Sequence, residues 1–455
     1  MNENIDNSWE RLGEFVGRVM DDYAIPGIAV GVLHKGDTFS RGFGVTNVDN
    51  PLPVTSETLF QIGSITKTFT GTAIMRLVEL GKLELDATVR TYLPEFKVLD
   101  EAAAAQATIR HLLTHVGGWV GDYFHETGSG DDALQQYVAS MAGLEQLAPV
   151  GKVFSYNNSG FAVAGRIIEV VTGQSYEAAL EELVLKPLGL NSSFLFPGDV
   201  MTYRFVAGHR IGDEGAEVAR PWPLPRAAYA LGGIVCNVQD LLRYAQFHLG
   251  DGQTVDGVRL LSTEGMRQMQ SPQVNVRENE YRGLSWMVAD IEGVRQISHG
   301  GGTKGQISQL IIVPEHDFAL IVFTNADHGS LATRDISRWV LKQTFDLDIC
   351  DPIALTSTVE ELVPYVGCYG RPYADVELGI LAGKLVGQIT YKLGFPTKDT
   401  PPQPAPPPAS FALTGKDQLT ITDGLMKGAV VDIIRKEDGS IGWLRHSNRI
   451  HVRQV

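Results

Sequence analysis

Cysteine is scarce in this 455-residue chain, and the three present exclude a disulfide scaffold. Cys236, Cys350 and Cys368 are odd in number, widely separated and in no metal-ligand spacing, so a reducing, cytoplasmic location is expected. Long apolar runs are missing too: none approaches the roughly 20 residues that cross a bilayer. No basic block marks an anionic lipid surface, so no membrane partner is expected. Positive charge is in deficit, with 38 Lys and Arg against 53 Asp and Glu and a net charge of −15. That balance argues against a nucleic-acid partner. The first twenty residues lack a leader's basic start and continuous apolar core. Glu3, Asp6, Glu10 and Glu14 are interleaved with Trp9, Leu12, Phe15, Val16 and Val19, the pattern of an amphipathic helix.

Two catalytic signatures are absent as well. No H-E-x-x-H occurs. His111 and His115 are four apart but flanked by Leu and Thr, so buried or capping roles are expected, with no metal and no cofactor. No G-x-S-x-G elbow occurs, since Gly63-Ser64 has Ile62 and Thr66 where that motif needs glycines. A serine hydrolase here would need a base other than a triad histidine.

What the chain does carry is Ser64-Ile-Thr-Lys67, at the head of a helical pattern with apolar residues at Phe69, Ala73, Leu77 and Leu80 and a stop at Gly81. Three residues apart on a helix, the hydroxyl and the amine share a face. A desolvated lysine loses its proton more readily and can then take one from serine. Free N–H groups at the helix mouth favour an oxyanion and disfavour an ammonium. The plain alternative is a serine N-cap followed by a solvated lysine. Against it stand Gly63, the apolar flank and two further polar clusters downstream.

The first of these is Tyr156-Asn157-Asn158, just before a helix with Phe161, Val163, Ile167 and Val170. A buried tyrosine hydroxyl can relay a proton, and an amide can orient a lysine or a substrate. Packing and helix capping are the alternative roles. The second is Ser298-His299-Gly300-Gly301-Gly302, between two predicted strands. Glycines there bare the strand so that a substrate backbone or carbonyl can approach.

The length implies two or three domains. A hairpin is predicted at 28–33 and 38–48, a helical block at about 108–190, and a helix at 238–249. Strands are predicted at 204–209, 284–288, 294–298, 306–313 and 318–324, then a helix at 335–345. After Cys350, short strands punctuated by Gly and Asp-Gly run at 376–380, 384–390, 411–413, 418–422, 429–435 and 442–446, as in a small barrel or sandwich. Six prolines within 401–408 interrupt them, either as a strand-joining loop or as a proline-recognition strip.

Ser-x-x-Lys, then Tyr-x-Asn about ninety residues on, then a glycine-rich strand end resembles the serine β-lactamase and penicillin-binding-protein superfamily. The likeness is strongest to its esterase, D-aminopeptidase and CubicO-type branch. It covers most of residues 9–345 and extends to Ile25-Pro-Gly-Ile-Ala-Val, Thr108-Ile-Arg-His-Leu-Leu-Thr-His-Val-Gly-Gly and Lys186-Pro-Leu-Gly-Leu. It implies an α+β fold: an antiparallel sheet flanked by helices over 1–350, with an all-α subdomain at about 96–200. A lipocalin-like C-terminal barrel at 356–455 would cap the cleft or build a homo-oligomer. By the same resemblance Ser64 is the acylated nucleophile, Lys67 its base, Tyr156 the proton relay and Asn158 a polar support bonded to Lys67. The N–H groups of Ser64 and Gly302 would form the oxyanion hole. His299-Gly300-Gly301 stand where the superfamily has Lys-Thr-Gly, with the Thr303-Lys304-Gly305 register rejected because it falls in the turn. A histidine there holds a substrate carboxylate less well than a lysine. An ester or D-amino-acid amide or peptide is thus expected ahead of a β-lactam. A penicillin-binding sensor that acylates without turnover is the non-enzymatic alternative.

Overall fold

In the computed structural model the described residues are 2–394, 400–424 and 426–454, with the backbone alone for 2–8. An eight-stranded antiparallel sheet organises the first part of the chain. Its strands are β1 (Gly27–His34), β2 (Asp37–Gly44), β3 (Val274–Arg277), β4 (Glu280–Arg282), β5 (Met287–Ile291), β6 (Val294–Thr303), β7 (Gln306–Val313) and β8 (Phe318–Thr324), in the order β2-β1-β8-β7-β6-β5-β4-β3.

The continuous apolar run of β1 follows from burial on both faces. Ile28, Val30 and Val32 pack under helices α1 (Asn2–Tyr23) and α5 (Gly329–Phe345), meeting Leu12, Val16, Ile336 and Val340. Ala29 and Leu33 face the other way, toward α2 (Thr66–Glu79) and α4 (Val238–Leu249). Period-two alternation thus feeds two separate cores from one strand. Beyond α2 lie short helices and α3 (Asn158–Thr172), which packs against α2.

Helix α2 is the central element, enclosed on nearly every side. Its four threonines survive burial because each hydroxyl finds a backbone partner: Thr66 accepts from Ile234 N at 3.1 Å, and Thr68 donates to Ile65 O at 2.8 Å, Thr70 to Ala230 O at 2.6 Å and Thr72 to Thr68 O at 2.9 Å. The apolar stripe read from sequence holds for Phe69, Ala73 and Leu77, whereas Leu80, at the C-cap, is exposed.

Some strand expectations need correcting. Residues 284–286 precede β5 rather than forming it, because Ser285 has φ +67 and breaks the pleat. In the 204–209 segment only His209 enters a strand (His209–Gly212), while Phe205 makes a single bridge to Leu59. Strand β2 stops at Gly44, whose φ of +70 turns the chain. Helix α5 begins six residues earlier than its apolar periodicity indicated.

The C-terminal part is a closed eight-stranded barrel: β9 (Gly367–Gly370), β10 (Ala374–Leu381), β11 (Lys384–Tyr391), β12 (Ala409–Gly415), β13 (Gln418–Ile421), β14 (Val430–Arg435), β15 (Ile441–His446) and β16 (Arg449–Arg453). Tyr369, Val376, Leu385, Leu419, Val431 and Leu444 fill it. The sequence reading missed β9 and β16, whose pairing of Tyr369 with Arg453 and Gly370 with Val452 closes the ring. Gly-Cys-Tyr-Gly has one large apolar residue between glycines, and Arg-Ile-His-Val-Arg, though it alternates, is only five residues long and rich in charge. The proline-rich residues lie in the connection from β11 to β12, and the Pro406 carbonyl accepts a bond from Gln388.

Candidate active site

Gly63–Ile65 forms a 3-10 turn that runs into α2, putting Ser64 at the helix mouth. Gly63 has φ +50, and a Cβ there would lie 2.6 Å from the Gly302 amide nitrogen. Gly301 is equally constrained: a Cβ would overlap the Ile62 carbonyl oxygen and Ser308 Oγ. These two glycines let the Ser64 turn and the end of β6 touch backbone to backbone.

Lys67 is completely buried, with Nζ 3.0 Å from Ser64 Oγ and donating to Leu231 O at 2.7 Å. No carboxylate among the described residues pairs with it. Burial, and then the Arg449 charge, hold its pKa well below the usual lysine value, against a weaker opposite pull from Asp122. The expected bonds from Lys67 to Tyr156 and Asn158 are not formed. Nζ lies 5.0 Å from the Tyr156 ring centroid, and the Leu231 carbonyl takes the anchoring role.

Asn157 and Asn158 divide the two roles that the sequence left open. Asn157 is the N-cap of α3, accepting from Gly160 N at 2.7 Å. Asn158 Nδ2 donates to Asp122 Oδ1 at 2.9 Å instead of supporting Lys67. Tyr156 is buried, its hydroxyl making no well-formed hydrogen bond among the described residues; burial pushes its pKa up to about 12, while interaction with the nearby Ser64 hydroxyl and the Arg449 charge pull it down. His115 stacks on its ring at 4.3 Å and accepts from Asn157 N at 2.9 Å. Burial keeps His115 neutral, and His111 Nδ1 accepts from Thr108 N in a capping box.

His299 is buried, and burial followed by the Lys67 charge lowers its pKa to about 3. Its Nδ1 lies 2.6 Å from the Gly300 carbonyl, which can only accept, so Nδ1 carries the proton. Nε2 is then a bare acceptor, and the ring sits 6.2 Å from that of Tyr156.

The sequence left open whether the barrel caps the cleft and named none of the barrel residues that reach it. The turn between β15 and β16 reaches Tyr156, whose amide donates to Asn448 O at 2.7 Å. Arg449 lies 4.8 Å from the Tyr156 ring centroid and bonds Asp122 at 2.9 Å, while Arg371 bonds the same carboxylate at 2.6 Å. Burial alone would raise the Asp122 pKa, but the two guanidiniums overcome it and hold the carboxyl far below its usual range. Two arginines against one aspartate leave one net positive charge beside Tyr156. The turn's two left-handed residues, Ser447 and Asn448, mark a hairpin, but nothing local says what that hairpin touches. Ser64, Tyr156, Asn158, His299, Gly301 and Gly302 all line one cleft of about 860 Å³, and the barrel supplies part of its wall.

A sequence profile of the Beta-lactamase family matches residues 12–343. The chain belongs to that family. Penicillin-binding protein 4 of Amycolatopsis lactamdurans is 33% identical over 360 residues, spanning 77% of this chain and 94% of its own length. Unguisins hydrolase ungD' of Aspergillus campestris is 27% identical over 337 residues, 70% of this chain and 62% of its own. Among solved structures, SurE superposes with a TM-score of 0.76 at 22% identity, over 98% of this chain and 99% of its own. The octameric penicillin-binding protein homologue from Pyrococcus abyssi does so with 0.67 at 23% identity, again over 98% and 99%. At those identities the likeness concerns the fold, and it includes the barrel. This beta-lactamase family member is a serine hydrolase of the penicillin-binding-protein-like kind. No helix among the described residues is long and apolar enough to cross a membrane.

Proposed function

We propose that this hydrolase cleaves amide or ester bonds at D-amino-acid residues of peptide-like substrates through an acyl-enzyme on Ser64. The observation that carries the reading is the fully buried, carboxylate-free Lys67 amine 3.0 Å from Ser64 Oγ. A neutral amine there accepts the Ser64 proton as Oγ attacks the carbonyl carbon. The amides of Ser64 and Gly302 receive the oxyanion. The neutral Tyr156 hydroxyl, beside Ser64, gives its proton to the leaving nitrogen or oxygen as the scissile bond breaks and regains one from the Lys67 ammonium by way of Ser64 Oγ. Water then attacks the acyl-enzyme by the reverse route, giving its proton to the same pair and freeing Ser64.

The D-residue preference is supported by SurE, whose structure has also been solved with D-Leu. Neutral His299 followed by Gly300, in place of a cation and a hydroxyl, weighs against a β-lactam carboxylate anchored at β6. The same feature favours a second reading, a carboxylesterase for uncharged esters. A panel of p-nitrophenyl butyrate, D- and L-alanine anilides and nitrocefin separates these, with the D-anilide expected to lead. Ser64→Ala should abolish turnover and fluorophosphonate labelling without changing the fold. Retention of parental turnover by that variant would rule out the assignment. A penicillin adduct that persists by intact mass would instead indicate a sensor.

A further inference from the structure

The cleft does not end at the catalytic serine. It continues along the outer face of β6 and β7, between α5 and the barrel, as far as Gln296 and Ile311. Residues on this face of β6 alternate with buried ones, Gln296, Ser298 and Gly300 being half-exposed while Ile297 and His299 are buried. Gly300 pairs with Gln309 and Ser298 with Ile311, so the floor is one continuous stretch of paired backbone. From Gly302 to Gln296 a strand covers about 20 Å, room for an extended segment of about five residues.

Gly300 is the doorway. A Cβ at this position would stand 3.2 Å from Gln309 Oε1, in the passage from Ser64 to the groove. With glycine the passage is open, where the resembling Lys-Thr-Gly pattern would put a threonine side chain. Away from the Arg371–Asp122–Arg449 cluster the walls carry hydrogen-bonding groups but little free charge. Arg338 is paired with Asp351 at 2.6 Å and Arg334 with Asp335 at 2.9 Å. Ser337 Oγ is buried at this wall with no hydrogen-bond partner. On the other side of Ser64 the lip is apolar, formed by Leu224, Pro225, Ala228 and Leu231.

The two sides of the scissile bond can be assigned. Tyr156, the donor to the leaving atom, sits 6.2 Å from the ring of His299, the residue next to Gly300 but on the other face of β6, and both residues line the same cleft. Lys67 is tied to the opposite lip through Leu231 O. We infer that the groove along β6 and β7 holds the leaving-group side of the substrate as an extended, uncharged peptide segment of several residues. The enzyme then cleaves within chains rather than releasing a single terminal residue. This rests on Ser64 being the acylated nucleophile.

The test uses the full-length protein and N-acyl-D-alanyl peptides whose leaving segment is one, three or five neutral residues long. Extension from one to five residues should raise kcat/KM at least tenfold. Gln309→Trp and Gln296→Trp, which fill the groove near its entrance and at its far end, should erase that gain, Gln296→Trp only for the longest substrate. Unfolding midpoints for both variants confirm that they fold. A wild-type response flat within twofold, or variants that slow all three lengths equally, would overturn the groove assignment. Fluorophosphonate labelling of Ser64 is read in parallel. Its absence would point to failure of the nucleophile assignment, and its presence with a flat length response to failure of the groove alone.

Discussion

The mouth of α2 and the hairpin at Ser447–Asn448 both reach the cleft, but they are built on opposite principles. Ser64 and Lys67 meet because they are three residues apart on a helical path. Arg449 and Asp122 meet across 327 positions of sequence, through a barrel that must close and dock first. The first pair is fixed by helix geometry, the second by the fit of two separately cored bodies. Chemistry that must not fail is thus written locally, and what surrounds it is supplied from a distance.

The comparison is tested hardest at its local end. Lys67→Met keeps the volume but removes the base, and acylation should fall on the order of 10²–10⁴-fold. Single-turnover release of p-nitrophenol reads this directly. A fall of less than tenfold would mean that the proton leaves Ser64 by another route.

At the distant end the largest effect should come from Asp122→Ala. It strands two buried guanidiniums and the Asn158 amide, and removing one partner of a buried ion pair costs about 3–5 kcal/mol. Denaturant unfolding measures it. A loss below about 1 kcal/mol would show that the barrel's arginines are held by packing rather than by this carboxylate. Trp443→Ala should cost less, about 2 kcal/mol, because the ring is half-buried where its indole N–H donates to Leu147 O at 2.7 Å. If Trp443→Ala also lowers acylation under conditions where the variant is still fully folded, docking of the barrel tunes the site as well as the stability.

Legibility in the sequence follows the same division. The nucleophile turn, the bared end of β6 and the all-buried β1 could be read because a period or a short motif encodes each. Asn158 was assigned to the wrong partner because its amide answers to Asp122, which only the barrel holds in place. Strand β9 went unseen because Tyr369 is its one large apolar residue, and β16 because its alternation spans only five residues; their pairing with each other joins the two ends of the barrel. Ser285 broke a predicted strand through its backbone conformation, chosen by packing against α2, where Ser285 fills the space that a Cβ on Gly71 would take. For Asn158 and Ser285 the deciding contact lies far away in sequence.

The subtlest test is electrostatic. The proposed base works only as a neutral amine, so kcat/KM should rise with pH through the lowered Lys67 pKa. Burial is the larger cause of that lowering and Arg449 the next, with Asp122 opposing. Arg449→Ala removes the positive charge and leaves Asp122 less compensated, and both changes favour the ammonium. The acid limb should therefore move to higher pH, a shift that a merely structural role for Arg449 would not produce. Tyr156 loses a charge that favours its anion, so its pKa should climb from about 12 and leave the alkaline limb beyond the working range. Arg449→Lys keeps the charge and should hold the acid limb near its original position. An acid limb unmoved in Arg449→Ala would mean that burial alone sets the base, and that the hairpin serves Tyr156 through its Asn448 carbonyl rather than through charge.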